Sequence, residues 1–145
     1  MPKITYSEDR NITNADLCAL YDSVGWVLYL KKYPDLTVLL PGCHLVLSAW
    51  DGDRLVGIIR TISDGVSYEY VIDLLVAPEY QSQGIGTHLF KWVSEQAADR
   101  YGFIVTTDGG DTGVAVRNWY ANHGLIEFAP ANHHQGFFRP NEFFR

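Results

Sequence analysis

Two glycines, Gly84 and Gly86, stand in the polar run Gln81-Ser82-Gln83-Gly84-Ile85-Gly86-Thr87, and Ile85, Leu89, Val93 and Ala97 then recur every fourth residue. That spacing predicts a helix from this loop to about residue 101 with one buried stripe. The first amides of a helix have no intrahelical acceptor and sit at the positive end of its dipole. Glycine at 84 and 86 removes the Cβ atoms that would keep a multi-oxygen anion off the backbone. Gln81, Ser82, Gln83 and Thr87 read as neutral donors around the same place. The chemistry is that of a seat for a diphosphate. A Walker loop would need Lys and then Ser or Thr after the second glycine, whereas Thr87 and His88 follow here and the next Lys is Lys91. A dinucleotide fingerprint would need a third glycine in an early strand-to-helix turn; Gly84-x-Gly86 stands alone and comes late.

The elements around this loop follow from periodicity and punctuation. Residues 3–6 read as a strand, 15–24 as a helix capped from Asn11 to Asn14 and stopped by Gly25, and 28–40 as a less regular stretch in which Pro34 can start a short helix. Residues 45–50, 55–62 and 67–76 read as a three-strand meander, turned at Asp51-Gly52-Asp53 and Asp64-Gly65. After the loop and its helix come a strand at 103–107, a helix at 113–123 stopped by Gly124, and closing strands at 125–129 and 136–139. This order gives a mixed α/β (α+β) domain with helices on both faces of the sheet. With no repeat, linker or low-complexity tract, the whole chain, 1–145, reads as one domain.

The 145 residues carry a formal charge of -6, with 47% hydrophobic and 14% aromatic content. These numbers support one packed core and give no basic stripe for nucleic acid. Cys18 and Cys43 lack metal-ligand spacing and read as reduced thiols, so no metal is expected and the default location is cytoplasmic. The first residues contain no apolar signal segment, and no apolar run reaches membrane-spanning length. The pair His133-His134 reads as loop rather than a metal site, and Asp108-Gly109-Gly110-Asp111 as a turn.

The pattern Val76-x-Pro78-x-x-Gln81-x-x-Gly84-x-Gly86 resembles the coenzyme A loop of the GCN5-related N-acetyltransferase superfamily. The segments from Leu20 to Trp26 and from Asp73 to Val76 resemble more softly a bacterial and plant subgroup related to serotonin N-acetyltransferases. The resemblance implies a central, mostly antiparallel sheet of six or seven strands with one splayed pair. It implies acetyl-CoA as acyl donor and a primary amine of a small molecule as acceptor, attacking the thioester directly. The pantetheine arm would add to the free backbone of Leu74, Leu75 and Val76, and the diphosphate would sit on the amides from Ser82 through Gln83, Gly84, Ile85 and Gly86 to Thr87. The side chains of Leu74 and Val76 would still pack in the core.

The family's second signature, an aromatic pair ahead of a glycine, reads Trp119-Tyr120 before Gly124, and it implies Tyr120 as general acid to the departing thiolate. The position seven residues before Tyr120, an Asn in many members, is Gly113. For a base, the strand before the loop offers Glu69, Tyr70 and Asp73. Strict alternation puts Glu69 and Asp73 on one face, although a bulge would change that parity. Asp73 is the candidate base; its other reading is a structural carboxylate paired with an amide or an Arg. Tyr21, Trp26, Tyr29 and Tyr33 are either core or an acceptor pocket, with Trp26 and Tyr29 the substrate-binding candidates. The alternatives are a catalytically silent CoA-binding sensor and a peptide N-acetyltransferase. A homodimer through the aromatic end, Phe137, Phe138, Phe143 and Phe144, is a further expectation.

Overall fold

The computed structural model describes residues 3–107 and 113–127. The chain divides into two compact units, Met1–Val105 and Thr106–Arg145. The first unit carries a five-stranded sheet in the order β1-β2-β3-β4-β5, made of β1 (Ile4–Ser7), β2 (Val46–Asp51), β3 (Arg54–Ser63), β4 (Tyr68–Val76) and β5 (Gly102–Val105). The first four strands are antiparallel neighbours, while β5 joins β4 in parallel. A parallel neighbour needs a crossover, here the helix α3 (Ile85–Gln96). Helices α1 (Asn14–Ser23) and α2 (Val27–Lys32) precede β2, and α4 (Val114–Asn122) belongs to the second unit.

Local chemistry accounts for the boundaries. Thr13 accepts from the amide of Asp16 at 3.1 Å and donates to its carboxylate at 2.8 Å, a side-chain cap at the start of α1. Gly25, at φ +77°, ends it. Pro34 starts no helix: α2 ends at Lys32, and a 3₁₀ turn begins only at Leu36, capped by Asp35. Gly52 takes φ +57° in the β2–β3 hairpin, whose last pair is Asp51 with Arg54.

One hydrophobic layer lies between the sheet and α1, with Leu17, Leu20, Tyr21 and Leu36 against Val46, Ile58 and Leu75. The other joins Leu47, Ala49, Ile59 and Val71 to Ile85, Leu89 and Val93 of α3. The helices of this unit therefore cover both faces of the sheet. A Cβ at Gly57 would lie 3.3 Å from both Ile85 and Leu89, so its absence lets α3 pack close.

Strict alternation fails in β4. Arg60 pairs with Asp73 but Thr61 pairs with Val71, leaving Ile72 as an extra residue. This bulge flips the parity. Asp73 bonds Tyr21 of α1, while Glu69 approaches Arg100, just beyond α3. The expectation that Glu69 and Asp73 share a face is corrected on this ground.

Glu69 is fully buried. The Nδ1 of His44 lies 3.0 Å from each of its oxygens, and Thr61 Oγ1 donates to it at 3.3 Å. His44→Ala strands much of that buried charge. It is expected to destabilise the fold by about 1.5–3 kcal/mol, seen as a lower urea midpoint at unchanged slope.

The sheet has five strands among the described residues, not six or seven. Residues 125–127 form no strand because they fold back on α4: Leu125 N donates to Tyr120 O at 3.2 Å, and Arg117 pairs with Glu127 at 3.4 Å. The strand expected at 136–139, the turn at 108–111, His133-His134 and the terminal phenylalanines lie outside the described residues. Among the described residues, no helix is long and apolar enough to cross a membrane, and no metal-holding cluster is found.

Candidate functional site

The loop expected to hold an anion joins the end of β4 to α3. Ala77 N donates to Val56 O at 2.8 Å, closing the sheet, and Pro78 opens a 3₁₀ turn, Pro78–Tyr80. Ser82 and Gly84 then take positive φ, +61° and +85°. Ser82 is the one non-glycine with that sign among the described residues. Left-handed residues in such a turn aim neighbouring amides toward one side. The bond from His88 N to the N-cap carbonyl of Gly84, 3.0 Å, opens α3, and the amides of Ile85 and Gly86 precede it without an intrahelical acceptor. No side chain caps Gly84.

Gln81 and Gln83 each spend one side-chain N–H within the loop region. The Gln81 side chain donates to Val76 O at 2.9 Å, and that of Gln83 to Glu79 O at 3.3 Å. Both shape the loop.

The ladder between β4 and β5 stops at Val71 and Val105, one residue before the bulge. β4 runs on to Val76, and in antiparallel pairs the backbone groups alternate sides. The bond from Ala77 to Val56 and the register of Val56, Ile58 and Arg60 put Leu75 and Asp73 in the positions bonded to β3. Leu74 and Val76 then direct their N–H and C=O away from β3. Of the three residues expected to offer free backbone, Leu74 and Val76 turn theirs away from β3, with the Val76 carbonyl taken by the Gln81 side chain. Leu75 is excluded because its groups belong to the β3 ladder.

Asp73, 2% exposed, is the centre of a buried network. Its Oδ2 accepts from Tyr21 OH at 2.7 Å and from the Nε of Arg60. Arg60 Nη2 donates to Tyr29 OH at 3.2 Å, and its guanidinium lies 5.7 Å from the centre of the Tyr29 ring. Burial, reinforced by the Asp73 charge, pushes both the Tyr21 and Tyr29 phenols up, so each remains a protonated donor. Burial works against the Arg60 charge, but Asp73, Tyr21 and the hydrogen bonds to Asp73 and Cys43 together hold Arg60 above its ordinary range. Tyr21 packs edge-on to Trp26, centroids 6.3 Å apart, and Tyr29 lies 5.6 Å from Tyr21 and 6.2 Å from Tyr33. Trp26 is 36% exposed. The four aromatic residues singled out in sequence are therefore one cluster, half core and half surface.

In the second unit, Tyr120 is half-buried on α4. Trp119 meets its ring edge-on at 5.1 Å and stacks on His123 at 3.8 Å. His123 Nδ1 lies 2.7 Å from Trp119 O, a bond that fixes the end of the helix.

Comparison with known proteins identifies the family. The model of the acetyltransferase (GNAT) family matches residues 10–125. The chain belongs to the GNAT family. A GNAT-family acetyltransferase from Streptococcus pneumoniae is similar in structure, with 30% identity, a TM-score of 0.76, and 98% of this chain and 99% of that one covered. An acetyltransferase from Gibberella zeae is 30% identical over 77 residues, 53% of this chain and 42% of the relative. An N-acetyltransferase from Prochlorococcus marinus is 29% identical over 103 residues, 66% and 54% of the two chains. The GNAT chain spans about half the length of the curated relatives it matches.

Within this GNAT fold, the first unit brings Asp73, Trp26 and Tyr29 into one network and sets Leu74 and Val76 beside the loop of residues 81–87. Arg60, which ties Asp73 to Tyr29, is absent from the set of site residues read from sequence. Its signal was available: it is a single cation between Val56-Gly57-Ile58-Ile59 and Thr61-Ile62, and a charge in such a strand requires a partner.

Proposed function

We propose that this protein transfers an acetyl group from acetyl-CoA to the primary amine of a small molecule, by direct attack of the amine on the thioester. The observation that carries the reading is the junction itself: a β4 edge with Leu74 and Val76 directed outward runs straight into a loop with left-handed Ser82 and Gly84 at a helix start. This donor set suits acetyl-CoA, a diphosphate joined to an amide-bearing arm. Amides from Ser82 to Thr87 would hold the diphosphate, and Leu74 with Val76 the arm. Bound acetyl-CoA supplies the activated acyl carbon.

In this reading the protein contributes position and polarisation. The Val76 amide is the candidate donor to the carbonyl oxygen, since the carbonyl of the same residue already accepts from Gln81. Trp26 and Tyr29 form a wall for the amine, with Arg60 and Asp73 fixing the Tyr29 hydroxyl. Asp73 acts through that hold rather than by taking the amine's proton: its Oδ2 accepts from both Arg60 and Tyr21, and its Oδ1 faces the Tyr29 hydroxyl at 3.5 Å. Tyr120 is the candidate acid: a phenol with a pKa of about 10 can hydrogen-bond and pass its proton to the departing thiolate, whose thiol has a pKa of about 8.5, while the proton shed by the attacking amine passes to water.

Calorimetry with acetyl-CoA and a thiol-release assay over aralkylamines and polyamines test the reading. Tyr120→Phe is expected to lower kcat by about a hundredfold or more with little change in acetyl-CoA affinity. An unchanged kcat removes Tyr120 from the mechanism. Binding without thiol release over the panel would instead mark a silent CoA-binding module, and no binding of acetyl-CoA or CoA would overturn both.

A further inference from the structure

Residues 78–84 are closed largely on themselves. Tyr80 N donates to Ala77 O at 2.8 Å and Gln81 N to Pro78 O at 3.2 Å, beside the two glutamine bonds already described. Apart from the Gln81 bond to Val76 at the end of β4, their side-chain hydrogen bonds and ion pairs to other elements reach the β2–β3 hairpin. Tyr80 OH donates to Asp51 Oδ2 at 2.6 Å, Arg54 pairs with Glu79, and the Arg54 guanidinium lies 5.2 Å from the centre of the Tyr80 ring. Tyr80 also packs at the margin of both hydrophobic layers. Two residues later the chain enters the left-handed angle of Ser82, which a residue with a side chain keeps only where its surroundings impose it.

Resting on the acetyl-CoA reading, we propose that Tyr80, clasped by Asp51 and Arg54, is a positioning residue: the hairpin holds the phosphate loop in its binding shape before the ligand arrives. Tyr80 touches no reacting atom. A loop that is competent only part of the time weakens apparent affinity by that fraction and leaves the bound complex unaltered. The proposal therefore separates affinity for the diphosphate from turnover.

The test uses the full chain and two acyl donors, acetyl-CoA and S-acetylpantetheine, which lacks the diphosphate. Tyr80→Phe keeps the ring, its packing and its place under Arg54, and loses only the bond to Asp51. The expected result is a rise in Kd and KM for acetyl-CoA of about three- to tenfold, kcat within twofold, and no change in kcat/KM for S-acetylpantetheine. Asp51→Ala should reproduce this, while Asp51→Asn, which keeps an acceptor oxygen, should restore most of the affinity. Equal losses with both donors would mark a general structural role and overturn the proposal, as would unchanged affinity in Tyr80→Phe. If the unaltered protein binds no acyl-CoA, the proposed function itself fails. A variant that binds as well as an acyl-CoA-binding parent refutes only the hairpin's role.

Discussion

Asp73→Ala is expected to destabilise the first unit by about 3–5 kcal/mol, the usual cost of stranding one member of a buried ion pair. Arg60 would lose its carboxylate beneath Tyr29, in a site where the two paired side chains are 7% and 2% exposed. The Tyr21 hydroxyl would lose its acceptor as well. Replacing both charges together, Arg60→Met with Asp73→Leu, should recover the part of the loss due to the stranded charge, leaving about 1–3 kcal/mol for the Tyr21 hydroxyl without its acceptor. Urea unfolding of the two single variants and the double variant gives the comparison. Turnover by the double variant, measured on folded protein, decides the chemistry. Retention of more than a tenth of the parent kcat means that Asp73 accepts no proton in the reaction. A loss of about a hundredfold or more in the folded variant would restore it as the base.

The second large effect is expected at Gly84. At φ +85° a β-branched residue is strained by about 1–2 kcal/mol or more, although a Cβ there would meet no atom within 4 Å. The strain is relieved when the loop turns its amides away from their common side. Gly84→Val is therefore expected to weaken acetyl-CoA binding by roughly tenfold or more, with a fall in Tm of only a few degrees. Gly65→Val, at φ +78° in the β3–β4 turn, is the matched control: similar strain, comparable loss of Tm, unchanged affinity. Equal affinity in Gly84→Val and the parent would mean that no ligand rests on this turn.

Much of this arrangement could be read from residues alone. The four-residue repeat from Ile85 to Val93 marked α3, and the Gly84-Ile85-Gly86 triplet marked its start. Asp51-Gly52 and Asp64-Gly65 marked both hairpins, because these residues tolerate the turns required. What escaped depends on partners distant in sequence. Alternation along one strand cannot reveal an extra residue, since Ile72 is extra only relative to Arg60 and Thr61 of β3. The same holds for Leu75, whose backbone is committed by its register against Ile58. Nor does local sequence show that Gln81 and Gln83 each bond a carbonyl that folds back within reach. Asp73 offered both a catalytic and a structural reading, and the choice turns on Arg60, thirteen positions away on a different strand.

Ile72 has an evolutionary consequence. Removing it would leave Val71 beside Thr61 and Asp73 beside Arg60, so both layers could keep their present occupants on an unbroken ladder. Packing alone therefore does not demand this residue. A chain one residue shorter at this point would make an equally good scaffold, but a straighter β4 could extend its zipper with β5 toward Val76. Single-residue deletions here should accordingly be tolerated in descendants that keep the scaffold and abandon the reaction.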